Sequence, residues 1–446
     1  MFKTNNKFIL SFFLFFFLGM IASCSSDDDM VIGDITSPTG ELTKTIPWDE
    51  TEASISFTAN SAWEASVAEV GTRAATSISW LKITVPKGGA GDVKMPLFLS
   101  KNDNETYREA EVTIKCGEKS VTVTIHQEAN PDAVKMMDAS AISNYSMYIT
   151  PGTWNEGFEK GPDYMLRSDA RWSWWRMKQS EHFFVFWEPG FGDDPNAESV
   201  PEALRVDVDV LLQKAEQFYK TNVEKLGMAT VGQGKSVLDN HKMQIYLLYQ
   251  TEWLATGSGY DDKIGALWVN PSTCKPVGST IGHEIGHSFQ YQVSADKLFT
   301  GEATPIDRAD GSQLVPAGFR YGFGENGAGG CAYWEQCAQW QSFQDYPVEA
   351  FTQDANVQVW LKNHHRHFNH EFMRYASYWF QYWFTEKHGI ESYARIWKES
   401  KYPEDPLQTY MRIYCNNSLD ALYKDLYVYS AHCADYDFKA VHQYKK

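Results

Sequence analysis

The run His283-Glu284-Ile285-Gly286-His287 restricts this chain more than any other stretch of it. Two imidazoles four residues apart lie one above the other on a helical face, close enough to hold one metal ion. A carboxylate directly after the first imidazole is placed to polarise a water on that metal. Ser279 and Thr280 are suitable N-cap residues just upstream, and Phe289 and Tyr291 continue an apolar pattern downstream. Gly286 costs a helix about 1 kcal/mol relative to alanine, so a purely structural helix gains nothing from it. The pattern predicts a helix that carries a zinc site at His283 and His287, with Glu284 as the catalytic base.

The start of the chain reads as an address. Lys3 and Lys7 precede an apolar run from Ile9 to Met20 that is short for a membrane span. Ile21-Ala22-Ser23-Cys24 follows and resembles the bacterial lipobox, in which cleavage before the cysteine exposes it for lipidation. Residues 1–23 are then a signal peptide, and residues 24–41, opening on Ser25-Ser26-Asp27-Asp28-Asp29, an acidic tether. This is similar to the export signals of surface lipoproteins in the Bacteroidetes-type outer membrane. The resemblance implies an outer-membrane lipoprotein, exposed at the cell surface or facing the periplasm, attached to the membrane through Cys24.

Six further cysteines, Cys116, Cys274, Cys331, Cys337, Cys415 and Cys433, permit disulfides outside the cytoplasm and lack the C-x-x-C spacing of a zinc cluster. A net charge of −17 argues against nucleic acid and anionic membrane surfaces as partners. The 16 Trp, 24 Tyr and 26 Phe are enough to build cores and still line a groove for sugars or peptides.

Composition shifts near Asn130-Pro131-Asp132. Before it, Ser54–Thr58, Glu111–Cys116 and Val121–Ile125 alternate apolar and polar residues, as strands with one buried face do, the last two forming a hairpin. Residues 42–129 fit an immunoglobulin-like sandwich. Phe57-Thr58-Ala59-Asn60-Ser61-Ala62-Trp63, Trp80-Leu81, Gly88-Gly89, Asn104, Arg108 and His126-Gln127 resemble the BACON module. That resemblance implies possible glycan binding, with Trp63 and Trp80 expected in the core rather than as sugar platforms.

Beyond residue 130 the elements change. Ser180–Trp187, Met243–Tyr249 and Ala266–Asn270 read as strands, and residues 201–226 as an amphipathic helix with Pro201 in its first turn. The motif helix follows, then a mostly helical remainder. This order resembles the gluzincin metallopeptidases, in which an edge strand upstream of the motif holds extended substrate; the strand around Trp268 occupies that place. The phrases His283–Gln290 and Trp334–Trp340 also resemble a family of secreted bacterial proteins. The expected fold is multidomain: an N-terminal immunoglobulin-like β-sandwich, then an α+β zincin-like domain over residues 130–446, with a mixed sheet, an active-site helix and a helical C-terminal lobe.

A catalytic zinc takes three protein ligands and leaves a position for water. Gln290 and Val293 stand where the metzincin pattern needs Gly and His, which excludes that subclass. Glu302, Glu325 and Glu335 are the candidates for a glutamate ligand. Glu335 is favoured, because a carboxylate in the mostly apolar stretch Ala332–Trp340 needs a cation nearby, and Gln339, one turn on, is placed to orient it or a histidine. Glu325, in a glycine-rich stretch, is second. Tyr375 and Tyr378, on an expected helix Phe372–Glu386, and the histidines of His364-His365-Arg366-His367 are candidates for stabilising an oxyanion. The reaction expected is zinc-dependent hydrolysis of peptide bonds in proteins or glycoproteins.

Overall fold

The computed structural model describes residues 30–32, 42–70, 78–152, 161–304, 306–307, 313–314, 319 and 332–442. Cys24, Glu325 and Cys331 lie outside the described residues. The chain divides into two compact units between Val134 and Lys135.

In the first unit, alternating apolar side chains produce two sheets whose inner faces share one core. One sheet runs in the order β1 (Met30–Ile32), β3 (Glu52–Ala59), β7 (Gly91–Leu99), β5 (Leu81–Ile83). The other runs β2 (Thr43–Ile46), β9 (Lys119–Gln127), β8 (Arg108–Cys116), β4 (Trp63–Glu69), β6 (Lys87–Gly88). The expected hairpin is β8–β9, closed by pairing of Cys116 with Lys119. Phe57 and Leu97 from one sheet meet Ile114, Val123 and Ile125 from the other in a single buried cluster. Trp63 is buried there, edge-on to Phe57 at 5.0 Å, whereas Trp80 is half-buried under the Arg108 guanidinium. Arg108 also donates to the buried Gln127, so this part of the motif braces the sandwich. Three residues of the expected tether, Met30–Ile32, instead pair in parallel with Phe57–Ala59.

The second unit is built on a mixed five-stranded sheet. β10 (Met177–Gln179), β11 (Phe183–Trp187), β12 (Met243–Leu247), β13 (Ala255–Tyr260) and β14 (Ile264–Val269) are arranged 10-11-12-14-13. Every residue of β11, β12 and β14 is buried, because these continuous apolar runs are covered on both faces. β11, β12 and β14 are parallel to one another, and β10 and β13 are antiparallel at the two edges. The strand around Trp268 is therefore internal; the edge beside the motif is β13. Its Ala-Thr-Gly-Ser-Gly-Tyr sequence has no apolar alternation, which hides it from a periodicity reading.

α1 (Val208–Lys220) connects β11 to β12 and starts at Asp207, whose carboxylate accepts from the amides of Asp209 and Val210. The helix expected from Pro201 thus begins later: a separate 3-10 turn, Glu202–Leu204, precedes the cap. α2 (Ser279–Phe299) carries the motif and lies on β13 and β14. Its N-cap is Gly278 rather than a side-chain cap, and the Ser279 hydroxyl donates instead to Glu349.

The helical lobe follows as α3 (Ala332–Ser342), α4 (Glu349–Thr352), α5 (Asp354–Asn363), α6 (Trp379–His388), α7 (Glu391–Lys398), α8 (Pro406–Tyr414), α9 (Leu419–Asp435) and α10 (Lys439–His442). The expected helix Phe372–Glu386 is split into a 3-10 turn, Glu371–Met373, and α6. Among the described residues the cysteines are free thiols and none is disulfide-bonded. No helix among them is long and apolar enough to cross a membrane.

Candidate metal centre

Helical periodicity sets His283 and His287 side by side on α2, and α3 crosses above them. Gly286 eases the crossing: a Cβ there would lie 3.1 Å from the Gln341 amide oxygen and 3.3 Å from the Ala338 Cα. The glycine that weakens the isolated helix thus lets the helix carrying Glu335 come close. His283 Nε2 lies 3.0 Å from His287 Nε2, and both are 3.1 Å from Glu335 Oε2. Among the described residues this is the group of three potential ligand side chains gathered to hold one ion.

The far sides of both rings are occupied. His283 Nδ1 meets Gln339 Oε1 at 3.0 Å, and His287 Nδ1 meets Gln290 Oε1 at 3.0 Å. Gln290 is oriented independently, because its amide nitrogen donates to the Trp334 carbonyl and to Gln341 Oε1. An amide oxygen can only accept, so each ring donates from Nδ1 and turns an unprotonated Nε2 inward. Two lone pairs and a carboxylate oxygen then face one another at about 3 Å, an arrangement that a shared proton or a metal cation would satisfy. The spacing suits zinc ligands, which at about 2.0–2.1 Å from the ion stand roughly 3.3 Å apart in a tetrahedral site.

Burial opposes charge on Glu335 and on His287, but each is overruled by its neighbours. The two imidazoles hold the Glu335 carboxyl well below the usual carboxylate range, and Glu335 with Glu284 lifts the His287 ring above its ordinary value.

Glu284 is buried, and its Oε2 accepts from the backbone amide of Gly257 on β13 at 2.5 Å. The approach needs a glycine, because a Cβ at residue 257 would lie 1.9 Å from the Glu284 carbonyl oxygen. A cavity of about 720 Å³ opens over these groups, with β13 on one side, α3 on another, and Tyr375 on its lining. The Tyr375 ring stands 5.9 Å from that of His283. Burial and the Glu335 carboxylate push its phenol up, which keeps it a protonated donor at neutral pH.

The expected set His283, Glu284, His287, Glu335 and Tyr375 therefore converges on one cavity. Other candidates do not. Tyr378 is buried elsewhere, its hydroxyl donating to the Ala350 carbonyl. His364, His365 and His367 are exposed in the turn after α5, away from the cavity lining. Glu302 is exposed beyond the end of α2 and lines a separate, smaller cavity. Gln290 and Gly257 escaped the sequence reading. Gln290 was accessible to it, since it lies three residues after His287 and seven after His283, on the same helical face.

Residues 139–446 match the model of a family of unknown function, DUF6055. Residues 66–128 match the model of the BACON family, described as a putative binding domain, N-terminal. The curated proteins return no match. Among solved structures, a protein from Bacteroides thetaiotaomicron determined by NMR is 18% identical over 24% of this chain and 91% of its own, with a TM-score of 0.17. A Bacteroides ovatus GH5 xyloglucanase, in complex with a XXXG heptasaccharide, is 12% identical over 68% of this chain and 60% of its own, also at 0.17. At those TM-scores neither likeness bears on fold or activity here.

Proposed function

The chain belongs to the DUF6055 family, and we propose that it is a zinc-dependent peptidase with a gluzincin-type ligand set on a zincin-like fold, exported as a lipoprotein anchored to the outer membrane through Cys24. The observation that carries this reading is the triangle of His283 Nε2, His287 Nε2 and Glu335 Oε2, with Glu284 beside it at the mouth of an open cavity. Structural zinc sites are closed by four protein ligands, whereas three that face a cavity leave a position for chemistry. This favours an enzyme over a binding protein with a structural metal.

His283, His287 and Glu335 would hold the zinc, which when bound supplies a Lewis acid that polarises water and the substrate carbonyl. The Gly257 amide holds one Glu284 oxygen, and the other takes the proton of the attacking water and returns it to the leaving amine. Tyr375 donates to the oxyanion that develops on the carbonyl. The substrates on this reading are extracellular or periplasmic proteins or glycoproteins, and the BACON module places the enzyme among them, with glycans as its possible ligands.

Elemental analysis of the purified chain tests the site. About one zinc per chain, lost in Glu335→Ala and retained in Glu284→Gln, is expected, with peptidase activity lost in both. A wild-type chain that takes up no zinc from excess metal refutes the reading.

A further inference from the structure

The cavity is a cleft that follows one side of α2 from Ser279 to Ser294, a length of about 22 Å at 1.5 Å per residue. An extended peptide of roughly six or seven residues spans that distance. The two ends of the cleft differ in chemistry, with the metal ligands between them.

The end near the start of α2 is lined by Ser279, Thr280, Gln339, Gln353 and Asn356. These side chains present amides and hydroxyls to the cleft, and their hydrogen bonds run back to the Glu349 carboxylate behind them. Gln353 Nε2 donates to Ser279 Oγ at 3.2 Å and to Glu349 Oε2 at 3.0 Å, and its Oε1 accepts from Asn356 at 2.8 Å and from Gln339 at 3.4 Å. Trp253, 67% exposed just before β13, marks the solvent rim here. The opposite end is aromatic. Phe319, Trp334 and Trp397 meet edge to face with ring centroids 5.1–6.0 Å apart, joined in the lining by Tyr291 and Val293 and by the hydroxyls of Ser294 and Ser400. No lysine or arginine occurs among the described residues that line the cleft.

The direction of a bound chain follows from β13. Gly257 lies against Glu284, and Gly259 lies against the Tyr291 ring further along α2, so β13 and α2 run the same way. Antiparallel pairing is the more stable per residue, and a peptide added to β13 in that sense enters at the aromatic end and leaves at the amide end.

Resting on the peptidase reading, we propose that this cleft selects polypeptide segments with an aromatic residue on the N-terminal side of the scissile bond and an uncharged hydrogen-bonding residue, Asn, Gln, Ser or Thr, on its C-terminal side. An apolar side chain entering the amide end displaces water from Thr280, Asn356 and the rest of this polar lining without replacing its hydrogen bonds, and an acidic one finds no lysine or arginine among the described lining residues.

The test is cleavage of a defined mixture of unstructured peptides by the zinc-loaded full chain, with products sequenced by mass spectrometry. Peptides with Phe, Tyr or Trp before the cut and Asn, Gln, Ser or Thr after it should be preferred by about tenfold or more over those with Leu or Asp after it. In Gln353→Leu and Asn356→Leu, checked for retained zinc and melting temperature, the preference after the cut should move toward Leu. Binding of uncleaved peptides to Glu284→Gln, followed by tryptophan fluorescence, should show the same ranking without turnover. Cleavage with no such preference, or with the two sides reversed, overturns this inference and leaves the peptidase reading standing. A fully zinc-loaded protein that cleaves none of the peptides overturns both.

Discussion

The backbone amide of Gly257 donates to the carboxylate of Glu284 at 2.5 Å, which ties the edge strand of the sheet to the second residue of the H-E-x-x-H motif. One contact thus sets the spacing between the wall of the cleft and the group proposed as its base. A methyl group at residue 257 has no room, since it would overlap the main chain of Glu284.

Gly257→Ala should destabilise the protein by about 1–3 kcal/mol, the usual cost of overpacking, and displace β13 from α2. Denaturant unfolding measures the first effect. Turnover should fall while zinc content stays at the wild-type level; loss of zinc together with turnover would show that the contact supports the metal ligands and not the base.

Gln290→Leu and Gln339→Leu should each weaken zinc binding by about 10–100-fold, because each removes the acceptor that fixes one imidazole. Competition with a chelator of known affinity reads this directly. Gln290→Leu should also lower the melting temperature more than Gln339→Leu, since Gln290 additionally holds the Trp334 carbonyl and Gln341.

Tyr375→Phe should retain zinc and fold normally yet lose about 100-fold in kcat with a small change in KM, the signature of a donor used mainly in the transition state. An unchanged kcat would remove Tyr375 from the mechanism.

Lys297 is buried near the end of α2, its ammonium donating to the carbonyls of Trp397 and Ser400, and burial lowers its pKa to about 8. The unfolded chain keeps this proton up to roughly 10.4, so between about pH 8 and 10 the unfolded state binds more protons than the folded one. Its contribution to stability therefore rises with pH across that window, by up to about 3 kcal/mol. Lys297→Met should remove that rise. The difference between the two proteins' unfolding free energies at pH 8 and pH 10 reads it, and parallel profiles would contradict the shift.

Much of the centre was legible in the chain because helical geometry is local. His283, Glu284 and His287 occupy one face whatever surrounds them, and Glu335 stood out as a carboxylate in an apolar stretch. The buried strands Phe183–Trp187 and Met243–Leu247 were readable for the same reason, as continuous apolar runs. The edge strand was not. Gly257 and Gly259 contribute no side-chain pattern, and the neighbours that need them small include Glu284 and Tyr291, 27 and 32 residues away. Tyr378 and the His364–His367 cluster misled in the opposite direction, because residue type alone does not say which way a side chain points.

The amino-acid sequence by itself determined the pair of helices that bear the candidate ligands, the two-sheet first unit and the apolar strands of the second, since each depends on periodicity or composition within a short window. Only the tertiary structure decided that α3 crosses at Gly286, that β13 is the edge, and that Gln290 and Gln339 turn both imidazoles inward. Those outcomes depend on which surfaces can approach within a few ångströms once the chain has folded, and close approach is a property of pairs of segments that no single segment encodes.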